Sequence, residues 1–276
     1  MLDIFAAACF TAVTVTAAAP AAHAQDAPRP AISDRAVNPA QPDFTLVALP
    51  TTLRVPRFGS SFRVTHRFTR PLGAGTFSNL ASDLFGLDSG AQVGLEYRFG
   101  IVAGTQIGIH RTSDRTIQLL AQHQLMRQND QRPLGIDVIA SIDGTNNFRD
   151  SYSPAVGAVI SRTLGRSGAL YAHPIWINNT NPLPSDRTDE NDTFLIGVGG
   201  RFRVRPSVYL VGEAAPRVGH TPGVSYVSFG VERRAGGHSF QLNFSNGFGT
   251  TLGQIAQGGI SDENWYIGFN ISRKFF

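Results

Sequence analysis

From Ser60 to the end of the chain, apolar and polar residues alternate in segments of about ten residues, the length a tilted β-strand needs to cross a bilayer. Twelve such segments are expected, at 60–70, 90–99, 102–110, 115–126, 133–144, 152–163, 168–178, 192–204, 206–215, 223–233, 237–247 and 262–275. The alternation is cleanest where Phe240, Leu242 and Phe244 interleave with Ser239, Gln241, Asn243 and Ser245. The same split sets Trp265, Ile267, Phe269 and Ile271 opposite Tyr266, Asn270, Ser272 and Lys274, and Val93, Leu95, Tyr97 and Phe99 opposite Gln92, Glu96 and Arg98. One row wants an apolar surrounding and the other wants water, so the fold class expected is all-β, a single transmembrane antiparallel barrel of about twelve strands.

A water-soluble sandwich would also alternate, and the connectors separate the two cases. The long ones, 71–89, 179–191 and 248–261, with 145–151 and 216–222 intermediate, fall between tight ones near 100–101, 163–167, Arg205 and 234–236. The connector near 111–114 is a short exception. Outer-membrane barrels sort their loops in this way, short on the periplasmic side and long outside, whereas Greek-key crossings have no reason to. Composition agrees, with 16% charged residues, 29 Gly and 19 Phe. No run of 18 apolar residues follows residue 25, which excludes a helical span there.

The start reads as an export signal, residues 1–24, because an apolar Thr/Ala-rich stretch ends in Ala22-His23-Ala24, an A-x-A-type cleavage site. Residues 25–50, with Pro28, Pro30, Pro39 and Pro42, read as a flexible periplasmic leader, and 51–276 as the barrel. Without Asp3 the exported chain carries 24 basic and 19 acidic residues. That dispersed excess has no basic helix or aromatic-interleaved patch, and no nucleic acid is expected as a partner. Cys9 is the only cysteine and lies in the signal. The chain closes on an aromatic strand ending in Phe275-Phe276, similar to the insertion signal of outer-membrane barrels. Localisation in a bacterial outer membrane follows, with lipid and the barrel-assembly machinery as partners.

Several blocks carry a family resemblance: Phe62-Arg63-Val64-Thr65-His66-Arg67-Phe68, Leu84-Phe85-Gly86-Leu87-Asp88, Gly94-Leu95-Glu96-Tyr97, Gly197-Val198-Gly199-Gly200-Arg201, Gly236-Gly237-His238-Ser239-Phe240-Gln241-Leu242 and Gly268-Phe269-Asn270-Ile271-Ser272-Arg273. In order and spacing the chain resembles an uncharacterised family of bacterial β-barrel proteins known only as a domain of unknown function. The resemblance implies a single membrane barrel and brings neither catalytic residues nor a substrate.

No enzyme is expected. A barrel phospholipase would carry a His-x-Ser element on one strand. No histidine here has Ser two residues on, and in His238-Ser239 adjacent strand residues face opposite ways. His66, His110, His123, His173, His220 and His238 show no metal-ligand spacing on a shared face, and no cofactor is expected. The oxygen-rich stretch 186–192 lacks the central Gly and bidentate Glu of a calcium loop and reads as a solvated loop. In 71–89, Phe77, Leu80, Leu84 and Leu87 recur at helical spacing, with Gly86 near the end as a stop signal. A short helix is expected there, folded into the pore or capping the rim.

Sending each apolar row to lipid turns Arg63 and Arg67 inward on the first strand, Glu96 and Arg98 on the second and Lys274 on the last. Further round, Arg201 and Arg203 turn inward on the eighth, and Glu213 and Glu232 on the ninth and tenth. Closure between first and last strands would make the seam wall net positive, with Glu96 paired to an arginine. Such a wall suits a channel for a small anionic solute or a salt-bridged plug in a structural barrel. The competing class is a surface-binding or adhesion barrel acting through the loops 71–89, 179–191 and 248–261.

Overall fold

The computed structural model describes residues 37–276 except 84–85, 87–89, 183–190 and 220–223. Its strands are β1 (Ser60–Phe68), β2 (Ala91–Val102), β3 (Thr105–Thr112), β4 (Ile117–Met126), β5 (Gly135–Gly144), β6 (Tyr152–Leu164), β7 (Gly168–Ile177), β8 (Thr193–Arg205), β9 (Val208–Ala215), β10 (Tyr226–Ala235), β11 (His238–Ser245) and β12 (Tyr266–Phe275). Past Pro216, which has no N–H to donate, β9 continues as Arg217–Val218 against Leu195 and Phe194 of β8. Each strand boundary lies within four residues of its expected position.

Every neighbouring pair is antiparallel. The barrel closes because β1 pairs on both sides: Val64 stands opposite Leu95 of β2 and Ile271 of β12. Closure leaves no edge strand to template association. The connectors at the end where β1 starts and β12 finishes, here the near mouth, include two- and three-residue turns at 103–104, 165–167, 206–207 and 236–237. Those at the far mouth include 69–90, 178–192 and 246–265.

The period-2 pattern is realised as an apolar outside and a largely polar inside. Phe62, Leu95, Trp176, Phe229, Phe240 and Leu242 are exposed on the outer face, while Arg63, Arg67, Glu96, Gln241, Asn243 and Asn270 are buried inside.

Two segments depart from the sequence reading. Residues 37–56 are not a free leader passing to a barrel at residue 51. Val37, Phe44, Leu46, Val47, Leu49 and Val55 are buried, and the segment runs inside the lumen. The reason is that its apolar run, too short for a span, finds cover only among inward side chains. The helix of the first long loop, α1 (Phe77–Ser82), has no buried residue and so is not folded into the pore; Leu84 and Leu87 lie outside the described residues. The inward helix is α2 (Leu252–Gln257), in the loop 248–261 read as external. Its Leu252, Ile255 and Ala256 are buried, so this part of the loop faces the lumen, while Gln257 and Ile260 are exposed.

Candidate functional site

The site is the filled lumen. The inserted segment is a hairpin with Thr45 bridged to Pro50, Thr51 N–H bonded to the Phe44 carbonyl at 2.8 Å and Leu46 N–H bonded to the Leu49 carbonyl at 2.8 Å. It leaves at the near mouth, where Phe58 N–H bonds the carbonyl of Gly100. The turn 46–49 points three backbone N–H groups at one inward carboxylate. Glu213 accepts from Val47 (3.0 Å), Ala48 (2.8 Å) and Leu49 (3.1 Å), and from Ser228 Oγ at 2.8 Å. Four donors satisfy a charge that would be costly to bury bare.

The carbonyls of the same hairpin meet the cations and amides of the wall. Arg201 donates to the Thr45 carbonyl at 2.7 Å and to Glu232 at 2.8 Å, and both side chains of that ion pair are fully buried. Gln241 donates to the Leu46 carbonyl (2.9 Å) and Asn270 to the Val47 carbonyl (2.8 Å). Arg63 Nη1 reaches Thr45 Oγ1 at 2.6 Å, while its Nε bonds Glu96 at 2.6 Å and Arg98 takes the other oxygen of Glu96. The expected Glu96–arginine pairing is therefore present, with two arginines. Asp43 lies 3.6 Å from Lys274 and accepts from Ser272. Burial opposes its ionisation, but the Lys274 and Arg201 charges and the Ser272 hydroxyl outweigh burial and hold the carboxyl below its ordinary range. Between Asp43, Arg63, Glu96 and Arg98 only about 10 Å³ is left, room for one water.

The returning limb is held by β3 to β7. His173 bonds the Pro50 carbonyl (2.6 Å), Gln122 the Thr51 carbonyl (2.8 Å), and Thr52 the hydroxyl of Ser161 (2.6 Å). Arg54 pairs with Asp137 at 3.0 Å, and Gln106 accepts from Val55 N–H. Leu46, Val47 and Leu49 also enter an apolar cluster with Ile139, Val159, Tyr171, Ile175, Ile177 and Leu195 of the wall and with Leu252, Ile255 and Ala256 of α2. Inner-face glycines on β8 admit the tip. A Cβ at Gly197 would lie 2.8 Å from Leu49 Cδ1, and one at Gly199 2.5 Å from Leu46 Cδ1.

From the far mouth α2 closes the rest. It begins in a capping box of Thr251 and Gln254 and ends at Gly258, whose φ of 94° favours glycine. Asp143 on β5 anchors it, accepting from Thr251 Oγ1 and from Gly253 N–H.

Of the residues expected to line the lumen, Arg63, Arg67, Glu96, Arg98, Arg201, Glu213, Glu232 and Lys274 are buried inside. Arg203 shares their phase but lies at the near rim, half-buried, donating to the Pro206 carbonyl of its own turn. It corrects the expected list because β8 runs past the lumen at that end. Phe275 faces outward, and Phe276 packs edge-on to Phe44 with ring centroids 6.3 Å apart. Residues overlooked are Asp43, Thr45, Gln122, Asp137, Asp143 and His173, whereas Gln241 and Asn270 stand on the polar rows of the sequence pattern. The available signals were the apolar run from Phe44 to Leu49 outside any strand and the surplus of inward arginines needing acceptors.

A family model described as a membrane bound beta barrel domain (DUF5777) matches residues 43–275, which includes most of the hairpin. No curated protein matches the chain significantly. Among solved structures, the NanC porin shares the fold with a TM-score of 0.53 at 6% identity, over 79% of this chain and 99% of its own. The outer membrane channel DcaP of Acinetobacter baumannii gives 0.37 at 10% identity, over 79% and 71%. A Rhodopseudomonas blastica porin variant gives 0.36 at 11%, over 67% of this chain and 55% of its own.

Proposed function

Because the chain belongs to the DUF5777 family of membrane-bound β-barrel domains, we propose that it is an outer-membrane channel for small solutes, held closed by its own hairpin 37–56 and by α2. The observation that carries this reading is the kind of contact inside the barrel. The hairpin is joined to the wall by noncovalent bonds to a ring of inward polar groups, and water or solute can replace those bonds without disturbing the outer face. On this reading the near mouth opens to the periplasm, where short turns belong, and a solute passing the seam meets Arg63, Arg67, Arg98 and Lys274 against one carboxylate, Glu96. Such a wall favours anions.

Planar-bilayer recording of the intact chain and of a chain lacking both residues 37–56 and α2 (Leu252–Gln257) tests this. Heat-dependent gel mobility would first confirm that both barrels are closed. The intact protein should be silent or flicker, and the shortened one should pass steady current with reversal potentials showing anion preference. Arg63→Glu with Arg67→Glu in the shortened chain should weaken or reverse that preference. A closed, shortened barrel that passes no current would leave only the structural role.

A further inference from the structure

At the near mouth the hairpin and the wall do not meet everywhere. A cavity of about 400 Å³ separates Gln41, Thr52 and Arg54 of the hairpin from Arg127, Gln128 and Ser161 on the wall side, a volume in the range of small-molecule sites. Its lining is polar, and its charge is unbalanced. Arg54 is matched by Asp137, whereas Arg127, exposed at the lip just past β4, makes no hydrogen bond or ion pair among the described residues. Two guanidinium groups thus line the space, and only Arg54 is paired with a carboxylate. The Thr52 and Ser161 hydroxyls and the Gln41 amide, already linked to one another, line the same space.

We propose that this cavity binds a small hydroxylated organic anion from the near side, its carboxylate or phosphate taken by Arg127 and its hydroxyls by the Thr52–Ser161–Gln41 group. A guanidinium suits this task because its planar fork meets two oxygens at once. The site is half hairpin and half wall, so a ligand seated there binds the closed arrangement and not a barrel whose hairpin has left. Binding and closure are therefore linked, each strengthening the other. The inference goes beyond the channel reading and stands whether or not the barrel conducts.

Calorimetric titration of the full barrel in detergent with gluconate, citrate and inorganic phosphate tests it. Saturable binding of gluconate or citrate, tighter than phosphate, is expected. Arg127→Gln should weaken it at least about tenfold, Arg127→Lys should retain part of it, and Arg233→Gln on the outer face should leave it unchanged. In a Cys9→Ser, Ala48→Cys chain, the bound anion should slow thiol labelling of position 48. No binding of any probe would overturn the proposal, as would binding indifferent to Arg127→Gln. Binding that appears only after residues 25–36 are removed would also overturn it, by making the chain's own leader the occupant.

Discussion

The inner faces of β6 and β7 and those of β12 and β1 stand six strands apart round the barrel and are built from different chemistry. On β12 and β1 the inward residues are Asn270, Ser272 and Lys274, then Ser61, Arg63, Thr65 and Arg67, all buried. On β6 and β7 they include Ala155 and Val159, then Ala169, Tyr171, Ile175 and Ile177. Water could fill the space against the first wall at little cost, but against the second it would face a largely apolar surface interrupted by Ser153, Ser161 and His173. The apolar wall therefore explains why the lumen is filled, and the polar wall explains how the filling is registered. Burying a leucine is worth about 1.5–3 kcal/mol, while a neutral hydrogen bond exchanged with water is worth about 1 kcal/mol net.

Release of the hairpin can be followed by the rate at which a Cys9→Ser, Ala48→Cys chain takes up a thiol reagent. The largest effect should come from Leu46→Ala with Leu49→Ala, which strips the apolar contacts and leaves the backbone bonds of the turn in place. A cost of roughly 4 kcal/mol or more, about a thousandfold in labelling, is expected. Glu213→Gln comes next, because an amide presents a donor to N–H groups that need an acceptor. About 2–3 kcal/mol should be lost, and an unchanged rate would show that the carboxylate only follows the turn.

Gln241→Ala with Asn270→Ala removes two neutral donors from the hairpin carbonyls and should cost about 1–2 kcal/mol, since water can take their place. If this pair released the hairpin more readily than the leucine pair, the division of labour between the walls would be wrong. The smallest effect concerns acid. Asp43 has its carboxyl held below the ordinary value of 3.8, so its contribution to closure is full above that value and fades as pH falls beneath it. Labelling should quicken below about pH 4, and Asp43→Asn should remove that part of the pH dependence. An identical acid profile in the variant would assign the response to the other carboxylates.

The sequence by itself determined the wall. Lipid on one side and a polar interior on the other impose a period of two, so Phe240, Leu242 and Phe244 disclose a strand and its phase without reference to any partner. Twelve strands, their sorted loops and the inward turn of Arg63, Glu96, Arg201 and Glu213 follow from that local rule. The contents of the lumen obey no such rule. The hairpin is held by groups as far as 229 residues along the chain, as Asp43 is by Ser272, and its prolines read locally as a leader. Tyr171, Ile175 and Ile177 are apolar on the inner side of a strand that is apolar outside as well, so alternation is silent on the strand that offers the filling an apolar wall. Only the tertiary structure decided that residues 37–56 and α2 occupy the interior, because an inner surface is read by whatever segment folds against it and not by the solvent that patterns the outer one.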